Sequence, residues 1–278
     1  LCYNQRKLFR SDTNEPKEIS QCKEGMFLSP QADPNLVEIL GIFIAKSIQT
    51  DVLIDINFNP YLFKFLRGEE VNIEFVDPML AQSLKHSEGL IGLPFTYPGL
   101  NIPLIENGED IEITDDNINN YIELVKSFTC GEKLSHLRDS FIKGFSSIFP
   151  FTNLDVFSEV EICYLLRGEN CKFKYEDLVE NVVISHGYEK DSLQIKMLFD
   201  ILIEMNIEEQ RQFIQFITGF SQLPIGGLKS LSPKLTIAKR QFDYSINIDS
   251  QLPTVMTCTN YFKLPPYSTK LIMKERIF

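Results

Sequence analysis

Near the end of the chain, two proline-bounded edges enclose a run that no helix can cross. It reads Leu252-Pro253-Thr254-Val255-Met256-Thr257-Cys258-Thr259-Asn260-Tyr261-Phe262-Lys263-Leu264-Pro265-Pro266-Tyr267. Pro253 fixes its own φ and pushes Leu252 toward an extended conformation. Pro265 and Pro266 stop a helix or a central strand on the other side. The residues between are rich in Thr, Val, Tyr and Phe, which predicts strand or extended loop. A thiol held there is presented rather than packed inside a helix. Set against this, an isolated cysteine is more often a small buried hydrophobe than a nucleophile.

The 278 residues allow one large domain or two lobes. Hydrophobic residues make up 44%, enough for a substantial core, with aromatics that are mostly Phe and no Trp. No apolar run reaches the roughly 18 residues of a membrane span, and the start has no secretory signal pattern. The first residue is Leu1, not Met, so a piece of a longer protein is expected. A net charge of −11 argues against a nucleic-acid footprint, which needs clustered Lys and Arg. Cys2, Cys22, Cys130, Cys163, Cys171 and Cys258 form no C-x-x-C pair, and only His86, His136 and His186 accompany them. A metal site is therefore not expected, nor any cofactor. Scattered thiols fit a reducing, intracellular compartment, cytoplasmic or nuclear.

Taken in order, residues 1–30 are polar, with weak alternation at Lys7-Leu8-Phe9-Arg10. Asp33-Pro34 opens a helix with Asp33 as cap, and Leu36, Ile39, Leu40, Phe43, Ile44 and Ile48 recur at helical spacing. Asn59-Pro60 and Asp77-Pro78 open two more helices. Segments 102–105 and 111–113, around Asn107-Gly108, predict a hairpin. Thr114-Asp115-Asp116-Asn117 opens a long helix, 132–149 forms another, and Ser158 and Glu161 stand at capping-box spacing before a third. The aromatics Phe145, Phe149, Phe151 and Phe157 read either as core or as a groove for a partner's loop. Residues 167–190 are polar. Helices follow over 191–206 and 207–218, the second with Phe213, Ile214, Phe216 and Ile217 on its apolar side. Gly226-Gly227 permits a tight turn. Strand Leu235–Ala238 and a short final helix from Ser268 complete the pattern.

Leu-Pro-x-x-x-Thr-Cys followed by Leu-Pro-x-Tyr resembles the active-site signature of HECT-type ubiquitin ligases. The variant Val-Met-Thr-Cys-x-Asn-Tyr looks like the ubiquitin-fusion-degradation subgroup. Many members carry His two residues before the cysteine, where this chain has Met256. The resemblance extends to Gly25–Pro30, to Leu40, Gly41, Ala45, Lys46 and Ile48, and to 215–219 and 223–228. It implies an α+β, bilobal fold: a mainly helical amino-terminal lobe over 1–183, a hinge over 184–190 at Ser185, His186 and Gly187, and a carboxy-terminal lobe over 191–278. It also implies that helices before Leu1 and a tail beyond Phe278 are missing.

The resemblance further implies a function. Cys258 would accept ubiquitin as a thioester and pass it to a substrate lysine, marking proteins for proteasomal degradation. Thr257 and Asn260 would support the thioester carbonyl, or merely the turn. A conjugating-enzyme-binding subdomain would span about 114–167, with Leu154, Phe157 and Phe149 as contacts. The implied partners are a ubiquitin-conjugating enzyme, ubiquitin and protein substrates, without nucleic acid or membrane. Two readings compete. One is a catalytically silent ubiquitin- or partner-binding module. The other is a cysteine hydrolase, which would need a positioned His.

Overall fold

The computed structural model describes residues 8–10, 24–54, 56–100, 102–169, 172–241 and 247–278. Lys7, Cys2, Cys22, Cys171, Asn170 and residues 242–246 of the expected polar connection lie outside the described residues. The chain divides into two compact units. The first comprises Leu1–Val52 with Ile56–Cys163, and the second Leu53–Asp55 with Tyr164–Phe278.

In the first unit, Asx-Pro pairs start the helices as their chemistry dictates. Asp33 caps α1 (Pro34–Thr50), Asn59 caps α2 (Pro60–Leu66) and Asp77 caps α3 (Pro78–Lys85); each accepts a backbone N–H while Pro takes the first position. Then come α4 (Ile118–Cys130) and α5 (Ser135–Ser146). The start of α6 (Glu159–Arg167) carries the expected capping box: Ser158 N–H donates to the Glu161 carboxylate and Glu161 N–H to Ser158 Oγ.

Helices α1 and α5 cross at glycines. A Cβ on Gly41 would lie 2.3 Å from the Phe141 carbonyl oxygen, and one on Gly144 only 1.9 Å from that of Glu38. Beside this crossing Phe151 packs edge-on against Phe141 and Phe145, which stack on each other at 25°.

Two expectations fail in this unit. Ile39 and Phe43 of α1 are 58% and 52% exposed, because the covered stripe runs through Val37, Leu40, Gly41, Ile44 and Ala45. Segments 102–105 and 111–113 do not pair as a hairpin. Both bond to 93–97 instead: Leu104 N–H donates to Phe95 O, and Ile113 N–H to Leu93 O. Asn107 does take the left-handed turn conformation, at φ 55°.

The second unit is a four-stranded sheet backed by helices. Its strands are β1 (Val183–Ser185), β2 (Thr236–Lys239), β3 (Thr254–Met256) and β4 (Tyr261–Leu264), in the order β1-β2-β4-β3. β1–β2 and β2–β4 are parallel, and β3–β4 is antiparallel. Register aligns Ile184, Ile237, Phe262 and Val255 in one row. That row joins the core formed with α7 (Tyr175–Asn181), α8 (Leu193–Glu204), α9 (Ile207–Thr218) and α10 (Lys270–Ile277). The Phe262 ring meets Phe213 and Phe216 edge-on at 5.8 and 6.3 Å. Phe216 is nevertheless 41% exposed, so only part of the expected apolar face of α9 is covered.

The expected hinge, 184–190, is built into this second unit. Ser185 belongs to β1, His186 O accepts from Lys239 N–H, and Tyr188 is buried with its hydroxyl donating to Leu264 O. Strand pairing and burial hold this polar stretch. The division between the units falls earlier, between Cys163 and Tyr164 inside α6.

Candidate active site

The proline-bounded run folds as an antiparallel pair, with Thr254 opposite Lys263 and Met256 opposite Tyr261. A single 3-10 turn, Thr257–Thr259, joins the strands and carries Cys258 at its middle. The thiol is exposed, as are Thr257 and Thr259 on either side. The Thr259 hydroxyl donates to Met256 O at 3.3 Å, tightening the turn.

Asn260 closes the turn in the left-handed conformation, φ 49° and ψ 41°, a region that Asn tolerates better than most residues. Its backbone N–H donates to Thr257 O, and its carbonyl accepts from Thr236 N–H at 3.0 Å. Its side chain is buried, and Nδ2 donates to Pro233 O at 2.6 Å. The amide thus faces into the fold and ties the cysteine turn to the approach of β2. Nothing local in sequence marks Pro233 as its partner, 27 residues away. A left-handed-tolerant residue beside a turn was the only available signal.

The base of the hairpin is held as firmly. Tyr267 is fully buried, and its hydroxyl donates to Gln251 O at 2.6 Å, closing the run from Pro253 to Pro266. Burial pushes the Tyr267 phenol up to about 12. An Arg240 guanidinium N–H donates to Leu252 O.

The other described thiols differ in kind. Cys130 is buried, its Sγ 3.3 Å from Val71 O, and burial pushes its pKa up to about 11. Cys163 is pushed to about 12, first by burial and then by the Glu159 charge. A nucleophilic sulfur must be a thiolate within reach of its electrophile, and neither of these meets that condition. Among the histidines, the His186 ring packs 6.2 Å from Tyr261, His86 ends α3 and His136 lies in α5.

The expected partner-binding residues lie in the first unit. Leu154 is buried, Phe149 packs edge-on against Phe145 at 4.8 Å, and Phe157 is half-buried. One Arg67 guanidinium donates to both Leu154 O and Phe157 O and pairs with Glu159. This fixes the loop between them. Val156 is 80% and Val160 47% exposed beside it. Among the described residues, no group of three or more His, Cys, Asp or Glu side chains could hold a metal ion, and no helix is long and apolar enough to cross a membrane.

Comparison with known proteins finds relatives along most of the chain. The chain is 34% identical over 303 residues to a probable ubiquitin fusion degradation protein of Schizosaccharomyces pombe, covering 99% of the chain and 18% of the relative. It is 32% identical over 263 residues to ubiquitin fusion degradation protein 4 of Saccharomyces cerevisiae, covering 86% and 18%. It is 35% identical over 286 residues to E3 ubiquitin-protein ligase Ufd4 of Drosophila melanogaster, covering 98% and 10%. The chain thus spans less than a fifth of the length of these relatives. The family described as HECT-domain (ubiquitin-transferase) matches residues 1–278, and the chain belongs to it.

Proposed function

We propose that this chain is the transferase part of a ubiquitin ligase, with Cys258 as the residue that carries ubiquitin. The observation carrying the reading is the outward placement of this thiol on a doubly anchored turn, in a chain of this family. The Cys258 thiolate attacks the carbonyl carbon of the thioester on a ubiquitin-conjugating enzyme. A new C–S bond forms, and the conjugating enzyme's sulfur leaves as thiolate. A substrate lysine amine then attacks the same carbon and loses its proton, and Cys258 leaves as thiolate. The first step exchanges one thioester for another, so it is nearly balanced in energy and needs no metal. The attacking species is the thiolate, which a cysteine can supply without a metal. Thr257 stands beside the thiol, and Asn260 acts through the backbone it anchors. An exposed thiol of this kind works in a reducing compartment, cytoplasmic or nuclear. The two compact units stand for the two lobes.

The conjugating enzyme docks on the first unit in this reading. Leu154 and Phe149 support the loop from within, and Phe157 meets the partner together with exposed Val156 and Val160. A second apolar set has its own support: Ile91, Leu93 and Ile111 are 37–46% exposed on the hydrogen-bonded segments that replace the expected hairpin.

The decisive experiment incubates the chain with a ubiquitin-charged conjugating enzyme and looks for a reductant-sensitive ubiquitin adduct. Cys258→Ala removes the adduct and leaves the melting temperature unchanged, whereas Cys163→Ala retains it. An adduct surviving in Cys258→Ala refutes the assignment. Binding of the conjugating enzyme without any adduct supports the silent module instead, and release of free ubiquitin without a lysine acceptor supports the hydrolase.

A further inference from the structure

We propose that Asp249 is a positioning residue for the Cys258 thiol, holding the base of the cysteine hairpin so that the turn points one way. The proposal rests on the transfer reading above. The Asp249 carboxylate accepts two hydrogen bonds from Ser268, from the backbone N–H at 2.9 Å and from Oγ at 2.7 Å. Those bonds hold the Asp249 carboxyl below the usual carboxylate range. The backbone carbonyl of Asp249 accepts from Arg276 Nε at 2.9 Å, which straps the residue to α10. Asn247 in turn caps the short 3-10 segment Ile248–Ser250 by accepting from Asp249 N–H at 3.1 Å.

Asp249 and Ser268 flank the two ends of the hairpin, one before β3 and one after β4. With the Tyr267–Gln251 bond they close it at its base, while Asn260 holds it at its tip. The need for a basal clamp follows from the sheet. β3 is three residues long and lies at the sheet edge, so among the described residues its only ladder partner is β4. A short edge strand is weakly specified on its own. With the base released, β3 pivots about the Asn260 tip and the thiol samples orientations that do not meet the donor carbonyl. Asp249 does not touch the thiol, so its effect appears in the rate of transfer, not in donor affinity or thiol chemistry.

The test measures single-turnover transfer from a ubiquitin-charged conjugating enzyme to the full chain over a range of donor concentrations. Asp249→Ala lowers the saturating rate about tenfold, well within what misplacing a reacting group produces, while the half-saturating concentration stays unchanged. Asp249→Asn keeps one acceptor oxygen and recovers most of the rate, which covers the case that Asp249→Ala folds poorly. Adding Ser268→Ala to Asp249→Ala causes no further loss, because both act through one clamp. The maleimide labelling rate of Cys258, followed on its peptide, is unchanged in all variants. An unchanged saturating rate in Asp249→Ala overturns the proposal. So do losses that multiply in the double variant, a loss confined to half-saturation, or labelling that slows in parallel with transfer. Wild-type chain that forms no adduct overturns the transfer reading and this proposal with it.

Discussion

At position 260 a left-handed backbone and a buried amide meet in one residue. Alanine there loses both the conformational tolerance and the bond to Pro233 O, whereas glycine loses only the bond. The left-handed conformation costs an ordinary residue about 1–2 kcal/mol. Asn260→Ala is therefore expected to be less stable than Asn260→Gly by roughly that amount, seen as a lower midpoint in chemical denaturation. Equal midpoints would show that the side-chain bond alone matters. The sequence marks Cys258 and Asn260 together through the local motif that carries the family resemblance. It did not expose Pro233, Asp249 or Ser268, because a carbonyl acceptor or a distant carboxylate leaves no periodic trace. Leu154 and Phe149 show the reverse difficulty: their apolar character was legible, but whether they face a partner or the interior was not.

Among the elements, those that announced themselves were the ones with chemistry at their ends. Asp33, Asn59, Asp77 and the Ser158–Glu161 box all cap where the sequence placed them. Periodicity marked α1 as a helix but misjudged its covered face at Ile39 and Phe43, since apolar spacing does not say which neighbour arrives. That neighbour is α5, and the approach is set by two glycines. Helix propensity alone favours Gly→Ala by about 1 kcal/mol. A Cβ 1.9 Å from the Glu38 carbonyl oxygen reverses the sign. Gly144→Ala is expected to cost about 1–3 kcal/mol by overpacking. Gly89→Ala has no atom within 4 Å of its new Cβ and is expected to stay within about 0.5 kcal/mol of wild type. Chemical denaturation of the two variants side by side decides, and a stabilised Gly144→Ala would refute the close crossing. The hairpin expected over 102–113 failed because a third segment, 93–97, took both partners, a long-range competition that turn residues do not report.

On the scale of the whole molecule, the chain is α+β, as the family resemblance implied, and it divides into two compact units. The expected hinge, 184–190, reads as a connector by its polarity; Ser185 pairs in β1 and Tyr188 is buried in the second unit, while the units divide between Cys163 and Tyr164, because strand pairing and burial leave no local mark in polarity. The partner face is open to a direct comparison. Val156→Asp and Leu93→Asp each put a charge on one of the two exposed apolar sets of the first unit. Only the set that meets the conjugating enzyme should lose binding, by about 2 kcal/mol or more if the residue is an anchor. Isothermal titration with the uncharged conjugating enzyme checks this, and unchanged affinity in both variants would place the docking face elsewhere.

The strand order β1-β2-β4-β3 has a consequence for the chain as it is made. The strand that joins β2 to the cysteine hairpin is β4, Tyr261–Leu264, which leaves the ribosome after every other strand. A chain stalled or cleaved before Leu264 has β1 and β2 but no partner for β3 and no complete mount for Cys258. Domains fold largely as their residues emerge, so the first unit is assembled while the thiol still lacks its turn. On the proposed reading, an unfinished chain of this kind has a docking unit but no mounted thiol, so it would bind the conjugating enzyme without accepting ubiquitin from it.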